Sequence, residues 1–79
     1  MEYDLILEQL ELIFRKVFTD TSIVINSEMT ANDIENWDSL THMLLISEIE
    51  DQFKVKFKLK ELNKMRNVGD MIEIISSKL

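Results

Sequence analysis

The chain has 79 residues, no cysteine, a hydrophobic fraction of 46% and a formal net charge of −6. This composition predicts one small domain over residues 1–79. It excludes a disulfide framework, a thiolate metal site and a membrane-spanning helix, which needs roughly 20 consecutive apolar residues. The acidic start of the chain also differs from a secretory signal, so we expect a cytoplasmic protein without membrane insertion.

The first element in chain order is an amphipathic helix over residues 3–18. Its apolar side chains recur every three or four residues, which places them on one helical face. They are Tyr3, Ile6, Leu7, Leu10, Ile13, Phe14, Val17 and Phe18. The helix is expected to end near residues 19–22, Thr-Asp-Thr-Ser, because these side chains compete for backbone hydrogen bonds.

Residues 19–37 show no helical period, although apolar residues are scattered through them. These are Ile23, Val24, Ile25, Met29, Ile34 and Trp37. A structureless loop of this length is uncommon in a small domain unless it is functional or pinned. Residues 22–25 could alternatively form a short strand, but no partner strand is evident. We expect an ordered loop whose apolar side chains cover the bundle.

A second amphipathic helix is predicted over about residues 39–53. Its inward arc is formed by Leu45, Ile46, Ile49 and Phe53. Asp38 and Ser39 stand at its start, and both residue types cap helix N-termini by accepting hydrogen bonds from free backbone N–H groups. Such a helix end also favours a phosphoryl group, through those donors and the positive pole of the helix dipole. An exposed serine there is well placed to carry a phosphodiester.

Two further helices complete the pattern. A short third helix is expected at residues 58–65, with its leucines and Met65 inward and its lysines outward. Residues 67–70, Asn-Val-Gly-Asp, have the spacing of a capping box and open a last helix. The inward side chains of these two helices are Leu59, Leu62, Met65, Val68, Met71, Ile72, Ile75 and Leu79.

The predicted fold is all-α, a small bundle of three main helices plus one short helix, with the long ordered loop between the first two. The side chains with the clearest helical spacing should form its core. They are Ile6, Leu10, Ile13, Val17, Leu45, Ile46, Ile49, Phe53, Leu62, Val68, Ile72 and Ile75.

The charge is distributed unevenly along the chain. Residues 1–53 contain 12 acidic and 2 basic residues, giving −10, whereas residues 54–79 contain 3 and 7, giving +4. The acidic part disfavours nucleic-acid binding, because attraction to phosphates needs a basic surface. The basic part has no Gly-rich or RNA-binding motif. We therefore expect no nucleic-acid partner.

The order of these elements resembles the acyl carrier protein family over essentially the whole chain. The resemblance is carried by Asp38-Ser39-Leu40, by Glu-Asp-Gln-Phe at 50–53 and by Asn-Val-Gly-Asp-Met-Ile at 67–72. It implies that Ser39 bears a covalent 4′-phosphopantetheine arm, which comes from coenzyme A and carries acyl groups as thioesters. It also implies that the chain is a carrier and not an enzyme.

The resemblance further implies partner enzymes. A phosphopantetheinyl transferase would attach the arm, with Asp38 serving as helix cap and as a transferase contact. Acyl-loading and acyl-processing enzymes would bind exposed apolar residues beside the serine. Those partner-binding residues are Leu40, Met43 and Leu44.

The third helix departs from the family pattern. Carriers of fatty-acid synthesis generally have acidic residues there, whereas this chain has Lys58, Lys60 and Lys64. We expect these lysines to bind partners and the carrier to serve, as a monomer, a dedicated lipid, polyketide or specialised-metabolite pathway. Two alternatives stay open on the sequence: an unmodified helical adaptor, and a peptidyl or aminoacyl carrier of a nonribosomal system.

Other candidate sites have a structural interpretation. His42 follows Ser39 by one helical turn, but its angular position lies among the core residues, so we interpret it as a structural histidine at the core edge. Asp33 opens an acidic stretch with neither the glycine nor the final glutamate of an EF-hand loop. We therefore expect no metal site and no catalytic residue.

Overall fold

The computed structural model describes residues 2–79, which form four α-helices and one 3₁₀ turn. The helices are α1 (Tyr3–Val17), α2 (Ser39–Phe53), α3 (Leu59–Leu62) and α4 (Val68–Ser77), and the turn covers Ala31–Asp33. Within residues 2–79 there is no strand, so the alternative strand at 22–25 does not form. The predicted all-α bundle of three main helices and one short helix is confirmed.

The core lies where α1 packs against both α2 and α4. Each of these helices turns one apolar face inward, and the loop between α1 and α2 adds side chains to the same cluster. The buried apolar residues are Ile6, Leu10, Ile13, Phe14, Ile25, Ile34, Trp37, Leu45, Ile46, Ile49, Phe53, Val55, Met65, Val68, Met71, Ile72 and Ile75.

Four apolar predictions need correction. Val17 and Leu62 were expected in the core but are only half-buried at its edge. Leu59 was expected inward and is 76% exposed, and Leu79 is 50% exposed. The reason at α3 is that Leu59 and Leu62, three residues apart, share a face that lines a surface groove and not the closed core.

The loop between α1 and α2 is ordered because it is pinned to both α1 and α4. On α1, Arg15 Nε donates to the Ile23 carbonyl at 2.8 Å, and a carboxylate oxygen of Glu11 accepts from the Ile25 N–H at 3.1 Å. On α4, the N–H groups of Val68 and Gly69 donate to loop carbonyls, each at 2.9 Å. The first N–H groups of a helix have no acceptor inside it, so the loop supplies them.

The start of α4 matches half of the predicted capping box. Asn67 Oδ1 accepts from the Asp70 N–H at 2.8 Å, as a cap should. The reciprocal bond, from the Asn67 N–H to the Asp70 carboxylate, is not formed. That carboxylate accepts from the backbone N–H of Arg66 at 3.3 Å and from its Nε at 3.2 Å.

Candidate functional site at the start of α2

A reciprocal pair of hydrogen bonds between Asp38 and Thr41 fixes the start of α2. Asp38 Oδ1 accepts from the Thr41 N–H at 3.0 Å, and the Asp38 N–H donates to Thr41 Oγ1 at 2.8 Å. The Thr41 hydroxyl donates in turn to the Asn36 carbonyl at 2.8 Å. Asn36 adopts a left-handed φ of 70°, which turns the loop into the helix. Two loop residues and one helical residue therefore hold Ser39 in place.

Thr41 is a positioning residue that the sequence analysis did not identify. The available signal was its spacing, since an Asp followed three residues later by a Thr is a variant of the capping box. The same bond from the Thr41 N–H lowers the pKa of the Asp38 carboxyl below its ordinary value of 3.8. Asp38 is thus a charged carboxylate at the positive end of α2.

Ser39 is the first residue of α2, and its side chain is exposed. Because Asp38 is the N-cap, the Ser39 hydroxyl is not needed to cap the helix. Within residues 2–79 it has no hydrogen-bond partner. The hydroxyl is therefore free to react without breaking a contact of the fold.

Ser39 opens onto a surface groove of about 560 Å³ between the start of α2 and α3. His42 and Met43 form the α2 side of the groove, and Leu59 and Leu62 form the α3 side. This explains the exposure of Leu59, whose side chain belongs to the groove and not to the core. The lining of this open groove is largely apolar, and Ser39 forms part of it.

Trp37 contacts both the core and His42, which lines the groove. The buried Trp37 ring packs edge-on against Phe14, with centroids 5.2 Å apart and an interplanar angle of 88°. Its Nε1–H donates to His42 Nδ1 at 3.1 Å. Burial lowers the pKa of His42 below its ordinary value of 6.5. His42 is half-buried at the core edge, where the helical period predicted it.

Not all of the predicted partner-binding residues meet at the groove. Met43 lines it, whereas Leu40 and Leu44 lie on α2 outside it, 72% and 52% exposed. The three lysines are exposed: Lys58 precedes α3, Lys60 lies within it and Lys64 follows it. We call Lys58, Lys60 and Lys64 the basic edge.

Comparison with known proteins places this geometry in a family. The family model described as the phosphopantetheine attachment site matches residues 37–75. Among solved structures, the chain resembles the holo acyl carrier protein from Geobacter metallireducens determined by solution NMR. The two are 51% identical, with a TM-score of 0.87 over 91% of this chain and 83% of that one. Among curated protein sequences, the comparison finds no match.

These likenesses first define a class, the small helical carriers with a phosphopantetheine attachment site. The chain belongs to the acyl carrier protein family. Its cofactor is therefore covalent 4′-phosphopantetheine, and the chain is a carrier and not an enzyme. Its partners in general are transferases and acyl-processing enzymes. In the described residues 2–79, no helix is both long enough and apolar enough to cross a bilayer.

The residues at the start of α2 fit this prosthetic group. The Ser39 side chain is exposed and, among residues 2–79, its hydroxyl has no hydrogen-bond partner, so it can form a phosphodiester without breaking a contact of the fold. The positive end of the α2 dipole favours the charge of that phosphodiester. The groove beside the serine has room for part of a flexible chain, with a volume of about 560 Å³.

Proposed function

We propose that Ser39 is the attachment residue and that the chain carries acyl intermediates as thioesters at this position. One observation carries the proposal: Ser39, the exposed first residue of α2, lines the largely apolar groove. When bound, the prosthetic group supplies the thiol that forms the thioester. The residues of the chain present the arm, hold the helix start and leave the groove open.

Asp38 has two roles in this proposal. Its carboxylate caps α2 by accepting the Thr41 N–H, and its exposed charge contacts the transferase. The two roles need different chemistry, because an amide oxygen can cap a helix but carries no charge. Asp38→Asn therefore separates them. We expect this variant to keep the melting temperature of the wild type and to be modified more slowly.

The loading experiment tests the attachment residue. Purified protein is incubated with coenzyme A, Mg²⁺ and a broad-specificity phosphopantetheinyl transferase, and its intact mass is measured. The wild type should gain one phosphopantetheinyl group, and Ser39→Ala should gain none while keeping its helical circular dichroism spectrum. Ser47→Ala is the matched control, since Ser47 is an exposed serine on the same helix. Modification of Ser39→Ala would contradict the assignment.

We also propose two partner surfaces. The first is the exposed apolar face of α2 formed by Leu40, Met43 and Leu44, which suits a hydrophobic interface core. The second is the basic edge, which suits an acidic partner surface and an association rate that depends on ionic strength. Because carriers of fatty-acid synthesis generally have acidic residues in this helix, the basic edge supports a dedicated pathway.

Charge reversal tests the basic edge. Lys60→Glu with Lys64→Glu should slow acylation by a cognate loading enzyme at low salt, and the difference should fade as salt rises. Lys54→Glu with Lys56→Glu changes the net charge equally at the other end of α2 and should have little effect. Equal slowing by both pairs would show an effect of net charge alone and would contradict a docking role for the basic edge.

We further propose that the cargo is an acyl group of lipid, polyketide or specialised metabolism. The apolar lining of the groove by Met43, Leu59 and Leu62 supports this class. Loaded protein can be offered to a fatty-acyl ligase and to an amino-acid adenylating ligase, and the thioester read by mass. Preferential aminoacylation would favour the peptidyl or aminoacyl carrier instead. The cytoplasmic location and the monomeric state stay predictions of the sequence.

A further inference from the structure

A hydrogen bond from Trp37 fixes the tautomer of His42. Trp37 Nε1–H donates to His42 Nδ1 at 3.1 Å, and the two rings lie nearly parallel with centroids 6.0 Å apart. An indole nitrogen can only donate, so His42 Nδ1 must accept and carries no proton. The neutral His42 ring therefore carries its proton on Nε2.

The Nε2–H group of His42 is left accessible. Among residues 2–79 nothing accepts a hydrogen bond from it, while every buried side-chain nitrogen or oxygen has a partner. Nε2 is therefore open to solvent, although the residue is half-buried. Since His42 and Ser39 both line the groove, this group is an unused donor in the groove wall.

Ser39 and His42 lie one helical turn apart on α2. Residues three apart are neighbours on a helix surface, roughly 5–6 Å between their Cβ atoms. A group attached to Ser39 Oγ thus emerges beside the His42 ring. The ring cannot turn freely, because Trp37 is bonded to it and is itself packed against Phe14 and Phe18. The donor is therefore held in place before any ligand arrives.

We propose that His42, held as the Nε2–H tautomer by Trp37, is a positioning residue that donates a hydrogen bond to the phosphodiester of the arm. This inference rests on the proposed attachment at Ser39. The contact would orient the base of the arm along the groove. Trp37 acts only through His42, by fixing which ring nitrogen carries the proton.

The charged groups near His42 already have partners, so the phosphodiester would be its strongest new electrostatic interaction. In the groove, the Asp38 carboxylate accepts from the Thr41 N–H, and the Arg66 guanidinium pairs with Asp70 at 3.2 Å. From α1, the side chains packed on Trp37 are two phenylalanines, which do not titrate. A phosphodiester anion held by His42 favours the charged imidazolium, so loading should raise the pKa of His42 above that of the unloaded chain.

Nuclear magnetic resonance of the ¹⁵N-labelled chain before and after loading tests this inference. The two ring ¹⁵N shifts of His42 report its tautomer, and their pH titration reports its pKa. We expect the Nε2–H tautomer in both forms and a higher pKa in the loaded one. The ³¹P resonance of the phosphodiester should titrate with the same midpoint as His42.

Two variants test whether the phosphodiester accepts a hydrogen bond from His42 or acts on it only as a nearby charge. His42→Gln keeps an acceptor for Trp37 and a donor for the groove but does not titrate, so the ³¹P titration at the His42 midpoint should vanish. Trp37→Phe releases His42 Nδ1, which should give a mixture of tautomers and a smaller rise in pKa on loading. An unchanged rise in a folded Trp37→Phe chain would indicate charge alone and overturn the fixed-donor role. If that variant does not fold, the ring ¹⁵N shifts of the loaded wild type decide, since a mixture of tautomers there would overturn the fixed-donor role.

Different results would contradict the His42 contact and the attachment of the arm at Ser39. A loaded chain in which His42 titrates as in the unloaded one, with a flat ³¹P resonance, removes the positioning role and leaves attachment intact. A wild-type chain that gains no mass under the same conditions contradicts attachment at Ser39, and with it the contact to His42.

Discussion

At the scale of single residues, Asp38 and Ser39 divide two tasks, capping the helix and presenting a reactive hydroxyl, of which only capping is open to both side chains. Asp38 Oδ1 takes the capping bond from the Thr41 N–H at 3.0 Å, which leaves the neighbouring serine hydroxyl without a structural duty. Asp38→Ala should therefore lower the melting temperature, whereas Ser39→Ala should leave it unchanged. Thermal unfolding of both unmodified variants measures the difference. A larger loss in Ser39→Ala than in Asp38→Ala would show that the serine is part of the cap.

His42 gives the stability of the unmodified chain a distinct pH dependence. Burial holds its pKa below the ordinary value of 6.5, so below that pH the unfolded chain binds more protons than the folded one. The contribution of neutral His42 is fully present above pH 6.5 and is lost as the pH falls through the folded pKa. Thermal unfolding at pH 7.5 and 5.5 should show a larger drop for the wild type than for His42→Gln.

The carboxylates titrate in a separate window. Hydrogen bonds lower the pKa values of Asp20, Asp38 and Glu61 from ordinary values of 3.8, 3.8 and 4.5. Their contribution is present above those values and is lost only at more acidic pH. Equal drops in the wild type and His42→Gln between pH 7.5 and 5.5 would therefore contradict the role of His42.

At the scale of elements, α4 depends on a close approach of the loop to its first turn. A Cβ at Gly69 would lie 3.0 Å from the Ser27 carbonyl oxygen, which also accepts the Gly69 N–H at 2.9 Å. Alanine is the better helix former by about 1 kcal/mol, but the bonded backbone must move to admit it. We expect Gly69→Ala to destabilise the chain by about 1 kcal/mol in chemical denaturation. Ser76→Ala, an exposed change in the same helix, should not destabilise it.

The elements also differ in how far the sequence could predict them. The long amphipathic helices α1 and α2 were predicted within one residue, because several turns of apolar spacing define each face. The short α3 was predicted at 58–65 and covers Leu59–Leu62. Its start is held by the Glu61 carboxylate, which accepts from the Lys58 N–H at 2.7 Å and pairs with Lys78 at 2.9 Å. A contact with a residue in another element is not visible in a local period.

The functional site was likewise only partly predictable from helical spacing. The position of Ser39 and the orientation of His42 followed from helical spacing. The bond between Trp37 and His42 did not, because Trp37 lies before the helix, where a helical period does not describe side-chain positions. Thr41 was missed for a related reason. Its role depends on which residue caps α2, and the sequence alone left both Asp38 and Ser39 as candidates.

At the scale of the whole molecule, one hydrophobic core fixes the helices and the loop that form the site. Phe53 ends α2, is only 8% exposed and belongs to the cluster that joins α1, α2 and α4. Phe53→Ala should lower the free energy of unfolding by roughly 3–5 kcal/mol, a large share of the total for so small a domain. Denaturant unfolding followed by circular dichroism measures this change. A loss below about 1 kcal/mol would show that Phe53 lies outside the cooperative core.

Site-resolved mass spectrometry of the loaded wild type decides whether Ser39 alone carries the prosthetic arm. Trypsin should release residues 17–54, which contain Ser22, Ser27, Ser39 and Ser47. Electron-transfer fragmentation of this peptide places the added mass on one residue. We predict one phosphopantetheinyl group on Ser39 and none on the other serines. The same mass on a different residue, or an unmodified peptide, would contradict attachment at Ser39.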